Sequence, residues 1–286
     1  MPINFQDVSL IYSPKTPFAF NALKKVSFEI EDGSFVALVG KTGSGKSTIA
    51  QLMNALLTPT DGLVKIDDFI NSKDVKKKGK AIKALRKHVG LVFQFPEYQL
   101  FEETVEKDVA FGPRNFGLSK EEALKKAHEA LKLVGLNDSF YSRSPFELSG
   151  GEKRKVAIAG ILALDPQMLI VDEPTSGLDP KAAEDTMALF KEINKRGKTV
   201  IFVTHDMDLV LEYADKAIVM DAGVVQVIAK PSDLFGNDLE HYSLDNPKVF
   251  DFALTLKKRG FAIDFSNLKT VDDLANAISN KLKERP

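Results

Sequence analysis

Apolar positions along the chain fall into short runs separated by longer segments with helical spacing. "INFQDVSLIY" alternates in part, "VSFEIEDG" ends on a turn and "SFVALV" is a continuous apolar run, so residues 3–39 predict strands. After "GKTGSGKST" (40–48) a helix is expected through about Leu57, closed by "TPTDG". Short strands are expected at 63–67 and 89–93, with the basic stretch "SKDVKKKGKAIKALRKH" between them. Ser119 and Glu122 have the spacing of a capping box. Leu124, Ala127, Leu131 and Val134 then form one apolar face of a helix over 119–134. Another helix should open after "LSGG" and run to about Leu164. "MLIVDEP" reads as a buried strand with a polar end. Pro180 is placed to start a helix that buries Met187, Phe190 and Ile193. "TVIFVTH" is the next strand, and "KAIVMDAGVVQVIA" a hairpin around Asp221-Ala222-Gly223. After Pro231 the pattern changes to short helices, including "NPKVFDFALTLKKRG" and "TVDDLANAISNKLKE".

Strands alternating with helices argue for an α/β core with a mainly parallel sheet. The division expected is a main domain over 1–230 and a small appendage over 231–286, which suits a length of 286 residues. An apolar content of 44% and a charged content of 28% are ordinary globular values, so a packed core is expected. Lys and Arg total 39 against 40 Asp and Glu, and this balance gives no global attraction to nucleic acid or anionic membrane. With no cysteine, disulfides and thiolate metal sites are excluded, and a reducing cytoplasm is compatible. The first residues lack a basic segment followed by an apolar one, so no signal peptide is expected. The longest apolar region, 156–171, is broken by Asp165, Pro166 and Gln167. It falls short of the roughly 18 residues a membrane span needs, so any membrane connection must come through a partner.

Chemistry enters at 40–48. Gly40, Gly45, Lys46 and Ser47 satisfy G-x-x-x-x-G-K-[ST] between a buried strand and a helix. Glycines let successive N–H groups turn toward one anion, and the helix start adds partial positive charge. Lys46 is a compact cation for the β- and γ-phosphates, and the Ser47 hydroxyl suits Mg²⁺. Lys41, Thr42, Gly43, Ser44 and Thr48 complete the loop. Asp172 and Glu173 end a hydrophobic strand, where ligands gather in open α/β sheets. Asp172 can hold Mg²⁺ through water, and Glu173 can act as general base on the attacking water.

A second Ser-Gly-Gly turn, Ser149-Gly150-Gly151, also opens a helix. "LSGGE" (148–152) resembles the signature of the ABC ATPases, and other motifs match that family in order. Gln94 in "LVFQFPE" resembles its Q-loop, "SGLD" (176–179) its D-loop, and His205 in "VTHD" its switch histidine. The resemblance covers about residues 3–230. It implies a P-loop NTPase domain of ABC type, with an antiparallel β portion and a helical subdomain over about 95–165. It implies ATP and Mg²⁺, with Ser47, Gln94 and Asp172 on the metal and His205 on the γ-phosphate. Tyr12 sits where the family places an aromatic on adenine, with Phe18 or Phe20 as alternatives. Two such domains pair head to tail, so that Ser149, Gly150 and Gly151 of one close over the γ-phosphate of the other and Asp179 supports the interface.

"FQFPEYQLFEETVEKDVAFGPRNFG" narrows the resemblance to the ATPase subunits of energy-coupling factor transporters, which import vitamins and transition-metal ions. "SPFELSGGEKRKVAIAG" and "TPFAFNALKKVSFEI" are most similar to the second of the two ATPase paralogues. The partners implied are a second ATPase subunit (a paralogue or a second copy), a transmembrane coupling protein and a separate substrate-binding membrane protein, at the cytoplasmic face of the membrane and with no nucleic acid. A helix beginning near 94–103, with Pro96, Tyr98, Leu100 and Phe101, would receive the coupling protein or pack within the helical subdomain. Phe250, Phe252, Leu256 and Phe261 would be dimer anchors of the appendage or its own core. The basic stretch (Lys73, Lys76, Lys77, Lys78, Lys80, Lys83, Arg86, Lys87) reads as a solvated face, with lipid headgroups second and nucleic acid third. Glu152 stands where the signature usually has glutamine, and Lys155 where arginine is common; activity is expected to survive both. The rival readings are an ATPase of another importer, a non-transport ABC protein acting on DNA or ribosomes, and a regulatory nucleotide-binding subunit.

Overall fold

A computed structural model describes residues 3–75, 79–235, 244–261, 263 and 268–283. Lys76, Lys77 and Lys78 of the basic stretch lie outside the described residues. Four antiparallel strands form the first sheet, in the order β2 (Phe20–Ile30), β1 (Ile3–Tyr12), β4 (Asp61–Ile66) and β5 (Phe69–Ser72). The second sheet has the order β10 (Val224–Ala229), β9 (Lys216–Asp221), β3 (Phe35–Val39), β8 (Thr199–Thr204), β7 (Met168–Asp172) and β6 (Val89–Val92). It is parallel except for β10, which closes the expected hairpin with Ala222 and Gly223 at positive φ.

The continuous apolar runs are explained by burial on both faces, as parallel strands require. Val36 and Leu38 of β3 face a core shared with the antiparallel sheet and with Ile49, Leu52 and Met53 of α1 (Lys46–Met53). Phe35, Ala37 and Val39 face the opposite core, built on α3 (Val105–Asn115), α4 (Lys120–Leu133), α5 (Gly150–Leu162), α6 (Pro180–Lys195) and α7 (Met207–Tyr213). Met187, Phe190 and Ile193 of α6 are buried there as expected. Among the described residues no helix is long and apolar enough to cross a membrane.

Three local expectations are corrected. The first helix stops at Met53 instead of about Leu57, because Ala55 turns left-handed at φ 53° and Leu56 N–H closes back on the Gln51 carbonyl. The basic stretch holds a helix, α2 (Gly79–His88), in which Leu85 alone is buried; strand β5 precedes it. The helix expected near 94–103 is a single 3-10 turn, Pro96–Gln99. The Asp108 carboxylate then accepts the N–H groups of Phe101 and Glu102, both at 2.8 Å, and Thr104 caps the start of α3.

The last described elements are α8 (Pro231–Phe235), α9 (Lys248–Lys258) and α10 (Val271–Lys283). Leu234, Phe235, Val249, Phe250 and Ala253 join the same core as α7 and β9. Phe250 is 0% exposed and stacks edge-on against Phe235, so it is a core residue of this chain and not a free dimer anchor. Leu256 and Phe261 pack partly against that core, whereas Phe252 remains 55% exposed.

The expected capping box of α4 is present in both directions, with Ser119 Oγ accepting from Glu122 N–H and Glu122 Oε2 accepting from Ser119 N–H. Ser119→Ala should cost about 1 kcal/mol. The check is a lower urea midpoint at unchanged slope; an unchanged midpoint would remove the cap from the stability of this subdomain.

Candidate functional site

Three strand ends are brought level by the parallel register. Val39 of β3 pairs with Thr204 of β8, and Val203 of β8 with Asp172 of β7. The loop at 40–45, the Asp172-Glu173 pair and His205 therefore share one edge of the sheet. Gln94 follows β6 at the same edge. Here β3 lies between β8 and β9 while the chain leaves it for β4, a switch point of the kind that binds ligands.

The loop wraps tightly. Gly40 has φ 145°, and a Cβ there would lie 2.1 Å from the Met220 carbonyl oxygen; Gly45 has φ 106°, and its Cβ would lie 2.7 Å from Leu23. Only glycine fits such close approaches at positive φ. Lys46 is buried and its ammonium donates to the carbonyls of Gly40 (2.6 Å) and Lys41 (2.9 Å), holding the loop closed around its own cation. Burial pushes the Lys46 pKa down, against the opposing charges of Glu173 and Asp172. Ser44 is buried beneath the loop, where its N–H donates to Lys41 and its carbonyl accepts from Gly223.

Ser47 Oγ donates to Asp172 Oδ2 at 3.1 Å. Burial pushes the Asp172 carboxyl up, and the Ser47 bond acts against it. Glu173 Oε1 lies 2.8 Å from His205 Nδ1; with the proton on Nδ1 the ring donates to and orients that carboxylate. Gln94 Nε2 donates to Ser176 Oγ at 3.3 Å.

These groups line one cleft of about 460 Å³. Its walls include Thr42, Gly43, Gly45, Lys46, Ser47, Thr48, Gln94, Asp172, Glu173 and His205. Tyr12 and Phe20 stand at its mouth, with the Tyr12 hydroxyl 3.1 Å from Thr48 Oγ1; Phe18 is not among the lining residues. The cleft offers an anion cradle beside an oxygen-only donor set. The Ser47 hydroxyl, the Asp172 carboxylate and the Gln94 amide oxygen are hard ligands that fit Mg²⁺ shared with phosphate and water.

The second Ser-Gly-Gly turn does not reach this cleft. Ser149 is the N-cap of α5, and its hydroxyl accepts from Glu152 N–H at 3.4 Å or donates to Glu152 Oε2 at 2.7 Å. Glu152 Oε2 also accepts from Ser149 N–H at 2.8 Å. These bonds, the side-chain one first, hold the Glu152 carboxyl below its ordinary range. The glutamate that departs from the signature pattern thus completes a capping box. Its spacing is that of Ser119 and Glu122, so it was readable from the sequence. A Cβ on Gly150 or Gly151 would meet nothing within 4 Å, and neither has positive φ. Among the described residues nothing demands glycine there. Asp179 caps α6 by accepting from Ala182 N–H at 3.0 Å.

Sequence reasoning missed Arg154. It lies on α5 only 5% exposed and donates to the carbonyls of Ser176 (2.8 Å), Pro174 (2.8 Å) and Glu173 (3.3 Å). These contacts span about twenty residues and leave no local spacing to detect.

Comparison with known proteins places this architecture. The family model described as "ABC transporter" matches residues 23–176. The energy-coupling factor transporter ATP-binding protein EcfA2 of Lactococcus lactis subsp. lactis is 52% identical over 260 residues, 90% of each chain. The protein of the same name from Streptococcus agalactiae is 50% identical over 283 residues, 98% of this chain and all of that one. Among solved structures, cbiO1 from Clostridium perfringens, part of the ABC transporter complex cbiONQ, superposes with a TM-score of 0.73 at 35% identity. It covers 90% of this chain and 96% of that one. The ATP-binding cassette MJ0796, in a dimeric post-hydrolysis state bound to ADP and Pi, gives a TM-score of 0.70 at 32% identity over 80% of this chain and 98% of that one.

Proposed function

This chain belongs to the ABC transporter family, among the ATP-binding proteins of energy-coupling factor transporters, and from that premise we propose that it is the ATP-hydrolysing subunit driving import of a vitamin or transition-metal ion through membrane partners. The observation that carries the reading is the split between the two glycine turns. Among the described residues the cleft has a complete phosphate loop and no second anion-binding helix start, and a Cβ on Gly150 or Gly151 would meet nothing within 4 Å. Each chain supplies half of two sites, and a second ATPase subunit supplies the complement.

In that pair ATP lies in the cleft with adenine against Tyr12 and its phosphates on residues 40–48. Ser47, Asp172 and Gln94 would hold Mg²⁺, which supplies charge neutralisation on the β- and γ-phosphates. Glu173, oriented by His205, takes the proton of the attacking water. Lys46 releases the carbonyls of Gly40 and Lys41 to meet the phosphates. Little covalent chemistry is required of the protein, so positioning and preorganised charge carry the rate. The closed pair binds ATP better than the open one, and hydrolysis reverses that preference.

The membrane partners dock beside Gln94. Phe101 packs edge-on against Phe111 at 4.8 Å, and both remain exposed; Tyr98 is 84% exposed beside Phe95. Such aromatic surface is enriched at interface cores. The chain then sits at the cytoplasmic face of the membrane, held by its partners.

Purification of the tagged chain from native membranes tests this. A second ATPase subunit, a transmembrane coupling protein and a separate substrate-binding membrane protein should co-purify in fixed ratio. Phe101→Asp should keep the ATPase partner and lose both membrane proteins. Recovery of an amino-acid importer's subunits, or of nucleic acid stable at physiological salt, would contradict the reading.

A further inference from the structure

Glu173 has a positive φ of 48°, in the left-handed region that crowds any side chain with a Cβ. Such a residue is strained and persists only where its surroundings hold it. Two kinds of contact hold this one. Its N–H donates to the Val203 carbonyl of β8 at 2.9 Å, which fixes the peptide before it. The peptides after it are held from α5, where the Arg154 guanidinium takes three carbonyls at once: Nη1 on Ser176, Nη2 on Pro174 and Glu173. A planar fork with fixed donors suits this; a lysine ammonium, a compact point charge on a flexible stem, does not.

The Nε donor of the fork remains unused. Arg154 Nε is buried without a hydrogen-bond partner among the described residues, and so is Oε2 of Glu97 in the 96–99 turn. Burial lowers the Arg154 pKa, and the Glu97 carboxylate opposes that shift. A buried cation needs a counter-charge, and losing it leaves the cation strongly destabilised.

We infer that Arg154 is a positioning residue of the hydrolysis reaction, holding the backbone of Glu173, Pro174 and Ser176 in its strained course, and that Glu97, on the turn packed against α5, supplies the opposite charge its burial calls for. The signature helix thereby sets the aim of the base on its own chain, in addition to facing the neighbouring subunit. The inference rests on the reading of Glu173 as general base.

The test uses the assembled ATPase pair. Arg154→Lys should lower kcat roughly tenfold or more, because small misplacement of a reacting group is costly. KM for ATP should stay within about twofold, because the phosphate loop does not touch Arg154. Glu97→Gln keeps the size of the side chain and removes its charge; it should lower kcat in the same sense. The two substitutions together should be no worse than Arg154→Lys alone, the non-additivity expected of residues that act as one unit. A role confined to stability would instead lower the melting temperature and leave kcat per bound nucleotide unchanged. That outcome, a parental kcat in Arg154→Lys, or additive losses would each overturn the inference. If Glu173→Gln itself hydrolyses at the parental rate, the failure belongs to the reading of the base.

Discussion

Replacing Glu173 by glutamine in the assembled pair is expected to lower ATP hydrolysis by about 10²–10⁴-fold, the range of a lost general base. The substitution keeps the shape of the side chain. His205 Nδ1–H can still donate to the amide oxygen, so the 2.8 Å contact seen with the carboxylate has a counterpart in the variant. What is lost is the basic site that takes a proton from water. ATP binding should persist, because Lys46, Ser47 and the loop glycines are untouched. The variant should therefore accumulate as a pair closed on ATP, seen as tighter subunit association with nucleotide than the parent shows. Single-turnover hydrolysis, with the assembled pair in excess of ATP, measures the chemical step directly. A parental single-turnover rate would remove Glu173 from the catalytic role and leave water activation to another group.

How much of this was legible in the sequence depended on the range of the contacts. The phosphate loop was legible because its glycines answer a local demand, with Gly40 and Gly45 at positive φ against neighbouring backbone and side chains. The strands of the parallel sheet were legible because burial on both faces leaves unbroken apolar runs. The start of α4 was legible because a capping box is a four-residue pattern. Glu152 obeys the same pattern, yet comparison with the usual signature drew attention to its charge and away from its bond to Ser149. Helix α2 was passed over because lysines crowd the basic stretch, although Ala81, Ile82, Ala84 and Leu85 have helical spacing and Leu85 is buried; strand β5 just before it is only four residues long. The turn at 96–99 escaped because the Asp108 carboxylate, further along the chain, captures the N–H groups that a continuing helix would have used. Phe250 gave no sign of whether its burial lay within the chain or across an interface; its packing on Phe235 and the α7–β9 core decides for the chain. Arg154, with partners on a strand-end loop far along the chain, has no local signature at all.

The second large effect concerns Gly150. An aspartate fits this position within the chain itself. The φ there is not left-handed, and a Cβ meets nothing within 4 Å. A carboxylate in the first turn of a helix is mildly favourable to the fold. Gly150→Asp should therefore leave the melting temperature of the isolated chain unchanged or slightly raised. In the closed pair the same carboxylate would sit against the γ-phosphate held by the neighbouring subunit, replacing an N–H cradle with like charge. The loss should be near complete, and it should fall on the neighbour's site. Few substitutions separate the fold from the function so cleanly, because the chain that carries the change is not the chain whose nucleotide suffers.

The most direct measurement is a pair in which one subunit alone carries Gly150→Asp, with nucleotide trapped after hydrolysis and assigned to each subunit by photolabelling. Normal labelling of the phosphate loop on the variant subunit and loss of labelling on its neighbour are expected. Equal labelling of both subunits, or loss confined to the variant's own cleft, would contradict the shared-site reading of residues 148–152.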